Sequence, residues 1–249
     1  MADWPAGVTA RVLATTDTTM AEAARAAPTL RGPEWVLALE QTAAKGRRGR
    51  PWAMPPGNFA ASLIFRPEAT PAQAALRSFV AALALDQALS RATGCADALT
   101  LKWPNDVLLN GGKVAGILLE SLGAGGRVDH LIIGFGINLV AAPDPAMLEA
   151  EAVPPVSVLS ETGVTLTPED FLPHLAMAFA GFEAQFVTYG FAPIRTAWLA
   201  RAARLGQPIT ARTPRDAITG IFRDVDETGN LVLDTPQGRR AIAAADVFF

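Results

Sequence analysis

Residues 102–120 constrain this chain more than any other stretch: Lys102-Trp103-Pro104-Asn105-Asp106, then Val107-Leu108-Leu109, Asn110-Gly111-Gly112, and Lys113-Val114-Ala115-Gly116 through Glu120. Val107-Leu108-Leu109 is a short apolar strand, and Asn110-Gly111 supplies positive φ twice, as a type I′ turn requires. With those two residues as the loop, Leu108 pairs with Lys113 and Asp106 with Ala115. Asp106 and Lys113 then share a face as diagonal neighbours. A three-residue loop would send one of them to the other face; the Asn-Gly dipeptide favours the two-residue register. Pro104 fixes φ and removes a backbone donor, so polar Asn105-Asp106 opens an apolar strand. An exposed lysine beside a turn is ordinary, but an awkward polar insertion of this kind is kept mostly where chemistry needs it.

A chain of 249 residues suits one large domain, or one with a small satellite. Half the residues are apolar and 18% are charged, a globular composition. The net charge of −3 and pI near 5.5 give no overall pull toward nucleic acid or anionic lipid. Cys95 is the single cysteine, so an internal disulfide is excluded and a reducing cytosol fits. Met1-Ala2-Asp3-Trp4-Pro5 lacks the features of a signal peptide. The most apolar segments, 79–89 and 131–142, are short or interrupted by Asp86 and Asn138, so neither spans a bilayer. The expectation is a soluble, cytoplasmic protein with no membrane partner.

Val8–Thr15 reads as a strand, and Asp17-Thr18-Thr19 as N-cap side chains for an Ala-rich helix reaching about Arg25. Trp35–Leu39 is a strand leading through Glu40-Gln41 into Lys45-Gly46-Arg47-Arg48-Gly49-Arg50, four cations interleaved with two glycines. Such a loop can bind phosphate through guanidinium forks, form a nucleic-acid patch, or simply be solvated. Trp52 behind it either stacks on a ligand or fixes the loop to the core. Phe59–Phe65 is a strand. Thr70-Pro71-Ala72-Gln73 is a capping box with Pro at N1, opening one long apolar helix that stops before Gly94. Val128–Phe135 is a buried strand ending at Gly136-Ile137-Asn138, where Asn138 suits a strand-end turn. Pro143–Pro155 is a Pro/Ala-rich loop. Thr167-Pro168 caps a helix reaching about Tyr189, and a second helical run contains Trp198. From Leu205 the texture changes to short strands: Ile209–Arg212, Ala217–Asp224, Leu231–Asp234 and Arg240–Ala243. No phosphate-binding Gly-x-x-x-x-Gly-Lys loop, Gly-x-Ser-x-Gly elbow or Cys/His metal cluster is present, and His130 and His174 read as structural or surface residues.

Three stretches in this order, Gln41–Trp52, Lys102–Glu120 and Gly134–Asn138, resemble the motifs of the biotin protein ligase family. The strands after Leu205 resemble its small C-terminal unit. The resemblance implies an α+β fold: a class II synthetase-like mixed sheet with helices over residues 1–204, and an SH3-like β-barrel over residues 205–249. It implies an ATP-dependent ligase, with Mg²⁺ accompanying ATP. The enzyme would activate biotin as biotinyl-5′-AMP and transfer it to a lysine of a biotin carboxyl carrier protein, part of acetyl-CoA carboxylase or another biotin-dependent carboxylase.

Carried over residue by residue, it implies catalytic roles for Lys113, Arg47 and Asp106. Biotin contacts fall to Thr18, Thr19, Gln41, Lys45, Gly46, Arg47, Lys113 and Gly116. ATP contacts fall to Arg47, Arg50, Trp52, Asn105, Lys113 and Asn138. No metal ligand is assigned. Lys102 ranks lower, as a salt bridge supporting the hairpin. The sequence departs from the family pattern at Met20, where Asn is usual, and at Ala44 and Lys45, where Gly and Arg are usual; Lys keeps the charge but not the fork. No helix-turn-helix precedes the first strand in this sequence, so the expectation is a monofunctional enzyme without a DNA partner, acting as a monomer or homodimer. The competing readings are a lipoate or octanoate protein ligase, which usually lacks the basic loop and the Lys102–Asp106 run, and a nucleic-acid-binding module built on residues 45–50, which the acidic balance disfavours.

Overall fold

The computed structural model describes residues 4–50, 52–144, 153–213 and 215–249, with the side chain of Arg47 excepted. Its main element is a seven-stranded sheet built from β1 (Thr9–Thr16), β2 (Glu34–Gln41), β3 (Phe59–Phe65), β4 (Leu99–Lys102), β5 (Asp106–Leu109), β6 (Gly112–Leu122) and β7 (His130–Ile137). The spatial order is β1-β2-β3-β7-β6-β5-β4. β1 and β2 are parallel, and the other neighbours are antiparallel.

Strand alternation sorts apolar side chains to two faces. Trp35, Leu37, Leu63, Phe65, Ile133 and Phe135 enter the main core, whereas Val36, Ile64 and Ile132 enter a smaller cluster on the other face. The main face is covered by α3 (Arg77–Thr93), α5 (Pro168–Tyr189) and α6 (Phe191–Leu199). The smaller face is covered by α1 (Thr19–Ala26), which contributes Met20 and Ala23. Arg11 ties α1 down by reaching both Glu22 and Glu34. One face of the sheet is therefore thickly covered and the other thinly, and the thin face is where a ligand can approach.

Local chemistry sets the helix ends. Thr70 accepts from Gln73 N in the expected capping box, and Thr167 caps α5, which ends at Tyr189 before Gly190. Gly94, at φ 73°, stops α3 in the left-handed conformation that glycine adopts without cost. The single long helix expected after Thr70 is two, α2 (Pro71–Ala75) and α3, parted at Leu76. The break coincides with burial of Arg77, the first residue of α3, which sits against the rings of Phe65 and Phe186 and pairs with Glu183 at 2.7 Å. A short helix, α4 (Val158–Thr162), was not expected. The loop expected over Pro143–Pro155 lies outside the described residues for 145–152.

The C-terminal strands β8 (Pro208–Arg212), β9 (Ala217–Val225), β10 (Leu231–Thr235), β11 (Gly238–Ile242) and β12 (Asp246–Phe248) form a five-stranded antiparallel sheet. Its order is β11-β10-β9-β8-β12, as suits a small SH3-like unit. Phe222, Val225, Leu231 and Leu233 from this sheet join the same core as Phe79 and Trp198. Trp103 Nε1 donates to Gly229 O at 3.1 Å across the junction. Among the described residues no helix is long and apolar enough to cross a membrane.

Candidate active site

The β5–β6 hairpin turns as the sequence requires. Asn110 and Gly111 have φ of 49° and 81°, Leu109 faces Gly112 and Leu108 faces Lys113. Beyond that pair the register shifts. Val107 faces Ala115 and Asp106 faces Gly116, so the expected Asp106–Ala115 pairing is corrected by one residue. Val114 is the extra residue of a β-bulge. The cause is β6's other neighbour, β7, which holds Ala115 through Leu122 in unbroken register. The bulge puts Lys113 and Gly116 on one face although they are three apart: a Cβ on Gly116 would stand 3.7 Å from Lys113 Cε.

Lys113 Nζ lies 2.7 Å from Asp106 Oδ1, so the predicted pair is in contact. Lys102 faces Asp106 across the β4–β5 ladder, and its Nζ lies 3.6 Å from Asp106 Oδ2. One carboxylate thus sits between two ammonium groups. Lys102 and Asp106 are nearly buried, while the Lys113 side chain keeps 29% of its exposure. Burial pushes the Lys102 ammonium below the ordinary lysine range; Asp106 opposes that push and Lys113 adds to it. Lys113 is the most accessible member of the trio.

Its backbone is held from behind. Lys113 N donates to Pro154 O at 2.8 Å, and Val156 N donates to Lys113 O at 3.0 Å. Asn138, only 2% exposed, donates its amide to Val156 O at 3.0 Å and to Lys113 O at 3.5 Å. Asn138 therefore braces the backbone of Lys113. Asn105 likewise donates its amide to Ile117 O, tying the 103–106 turn to β6.

The floor beside Lys113 is made of glycine. A Cβ at Gly136 would stand 2.8 Å from Trp52 Cε2, and one at Gly116 3.4 Å from Trp52 Cζ3, so the indole rests flat on these two backbones. Lys113 Nζ is 5.5 Å from the Trp52 ring centre. The basic loop containing Trp52 closes on itself: Gly46 N donates to Arg50 O at 2.8 Å and Trp52 N to Ala44 O at 3.1 Å. Lys45 is exposed. The Arg47 side chain lies outside the described residues. Arg48 Nη1 and Arg50 Nη2 reach Asp246 Oδ2 at 2.7 and 3.2 Å.

A polar cluster closes the site toward α1. Thr18 caps the helix by accepting from Ala21 N at 2.9 Å. Thr19 N donates to Gln41 Oε1 at 2.7 Å, and the Thr19 hydroxyl accepts from Ser62 Oγ at 2.8 Å. Asp17 accepts from Arg25 and from Thr18 N, which holds its carboxyl well below the usual carboxylate range. Met20 points into the small core, with its Sδ 2.8 Å from where a Cβ on Gly134 would be. The usual Asn position is thus spent on packing against a strand glycine, not on a polar contact.

Thr18, Thr19 and Gln41 gather at one end and Lys113, Gly116, Asp106 and Trp52 at the other, all on the thinly covered face. Ser62 and Asp246 belong to this neighbourhood and were missed by sequence reasoning. The signal for Ser62 was a lone hydroxyl in an otherwise apolar strand; Asp246 carried none. A surface groove of about 500 Å³ beside Gln87, Phe182 and Tyr189 lies on the far helices and has no charged lining. The chemistry available lies at Lys113: an accessible ammonium, fixed by a buried carboxylate, beside an aromatic plane and under a guanidinium-rich loop. Such a site stabilises developing negative charge on a phosphoryl group.

The chain matches the Biotin/lipoate A/B protein ligase family over residues 9–138 and the Biotin protein ligase C terminal domain over residues 205–249. It is 59% identical to a biotin–[acetyl-CoA-carboxylase] ligase of Paracoccus denitrificans over 238 residues, covering 96% of this chain and 99% of that one. It is 33% identical to the bifunctional ligase/repressor BirA of Bacillus subtilis, covering 85% of this chain and 65% of that protein. In fold it is similar to a biotin protein ligase from Aquifex aeolicus solved in complex with biotin and ATP, with a TM-score of 0.81 at 24% identity, over 96% of this chain and 97% of that one.

Proposed function

The chain belongs to the biotin/lipoate A/B protein ligase family, and from that premise we propose that it is an ATP-dependent biotin ligase. It joins biotin to ATP as biotinyl-5′-AMP and passes the biotinyl group to a lysine of a biotin carboxyl carrier protein in the cytoplasm. The observation that carries this reading is the Lys113–Asp106 pair at 2.7 Å beside the glycine floor.

In the first half-reaction a carboxylate oxygen of biotin attacks the α-phosphorus of ATP, a P–O bond forms, and pyrophosphate leaves. Three anions crowd together, so fixed positive charge lowers the barrier. Lys113 supplies most of it from the hairpin, and Arg47 and Arg50 add a smaller share from the loop. Trp52 offers an aromatic plane for the base, and Thr18, Thr19, Gln41, Lys45, Gly46 and Gly116 line the biotin end. Asn105 and Asn138 support the nucleotide side by fixing the backbones around Lys113. Mg²⁺ travels with the ATP phosphates in this reading: among the described residues no group of three or more His, Cys, Asp or Glu side chains could hold a metal ion.

In the second half-reaction the neutral amine of the carrier lysine attacks the acyl carbon, the C–O bond to phosphate breaks, and AMP leaves. Asp106 orients that amine and assists loss of its proton. The loop keeps water from the mixed anhydride. We divide the chain at 204/205 between the ligase unit and the C-terminal unit.

The test is incubation with ATP and either biotin or lipoate, followed by mass spectrometry. Biotinyl-AMP with release of pyrophosphate is the expected result. Lipoyl-AMP without biotinyl-AMP would overturn the reading in favour of lipoate attachment.

A further inference from the structure

We infer that Asp246 of β12 is a positioning residue for the basic loop, clamping Arg48 and Arg50 so that retention of the acyl-adenylate depends on the C-terminal sheet. The inference rests on the proposed ligase activity for its consequence, though not for its geometry.

The loop needs an external hold. Gly46 and Gly49 bracket Arg47-Arg48, and glycine backbones are the most conformationally free. Arg48 itself has φ 57° and ψ 25°, a left-handed conformation that a non-glycine residue keeps only when its surroundings enforce it. At its base the loop is seated by Trp52 on Gly116 and Gly136. At its tip Arg48 and Arg50 both reach one oxygen of Asp246, at 2.7 and 3.2 Å.

Exposed ion pairs are usually weak because two long side chains must both be ordered. Here one partner is already ordered. Asp246 has a short side chain, is 16% exposed, and sits in the β12–β8 ladder opposite Arg212. It accepts from two guanidinium groups at once. Its charge also bears on Lys102, two strands of contact away from Lys113. The loop therefore spans the site like a strap, with one end on the glycine floor and the other on a strand nearly two hundred residues away in sequence. Arg48 has no assigned contact with biotin or ATP, so it reports on the clamp alone.

Two measurements decide the matter. Trypsin digestion of the whole chain without substrates should cut after Lys45 and Arg47 about threefold faster in Asp246→Asn than in the parent, with other cleavage sites unchanged. Rapid-mixing release of biotinyl-AMP should be about threefold to fivefold faster in Asp246→Asn and somewhat less accelerated in Arg48→Ala, with the double variant no faster than Asp246→Asn. Arg48→Ala lies on an exposed loop and keeps the test valid should the Asp246 variant fold poorly. Unchanged loop cleavage, or fold-effects on release that multiply in the double variant, would overturn the clamp. If the parent makes no biotinyl-AMP, the ligase reading fails and the trypsin result alone judges the clamp.

Discussion

The β5–β6 hairpin and the 45–52 loop both carry cations, yet they are held by opposite means. Lys113 stands on a strand paired on both sides, with its backbone bonded to residues 154 and 156 and its ammonium 2.7 Å from a nearly buried carboxylate. The loop has glycines in its backbone, and Lys45, Arg48 and Arg50 are exposed; it is tied by Trp52 to the glycine floor and by Arg48 and Arg50 to Asp246. A fixed charge suits the step in which a phosphoryl group must be met without reorganisation. A cover held at two points suits substrate entry and product retention. Rigid placement belongs to chemistry, and tethered placement to containment.

The sharpest way to break this contrast is Lys113→Ala. Loss of an ammonium aimed at developing charge should cost about 3 kcal/mol of transition-state stabilisation, roughly a hundredfold or more in the rate of adenylation. The fold should survive, since the side chain is partly exposed and its backbone bonds remain. Near-normal adenylation by a stable variant would return Lys113 to the status of a turn residue.

A smaller effect sharpens the rigid side of the comparison. Lys102 is buried and its ammonium titrates below the unfolded lysine. In the window between the depressed folded value and about 10.4, the unfolded chain binds more protons than the folded one, so this group makes stability rise with pH there. Below that window its cost is full and constant. Lys102→Met removes the ionisable group, so the stability gap between variant and parent should shift in the parent's favour as pH approaches about 10.4. Denaturant melts of both proteins at neutral and alkaline pH measure it, and a gap independent of pH would show that burial does not burden Lys102.

How much of this was legible depended on how local each cause was. Asn110-Gly111 fixed the turn and Thr70, Thr167 and Gly94 fixed helix ends, because their signals act within a few residues. Phe59–Phe65 was placed to the residue, being apolar at every position but Ser62 and buried on both faces. The bulge at Val114 was not legible: it arises from β7's grip on β6, a tertiary demand. Met20 looked like a lost polar contact because its partner, Gly134, is distant in sequence. β12 is three residues long, too short for alternation to register, and so Asp246 was missed with it.

The central claim, that the hairpin governs formation and the loop governs retention, is tested most directly by measuring both steps in two variants. Rapid mixing of each with biotin and ATP separates the rate at which biotinyl-AMP forms from the rate at which it escapes. Lys113→Ala should slow formation by roughly a hundredfold or more. Arg47→Gly should leave formation within about fivefold of the parent, release the adenylate faster and biotinylate lysines on a bystander protein. If Arg47→Gly instead abolishes formation while leaving release and selectivity unchanged, the loop carries the main share of the chemistry and the division of labour is wrong.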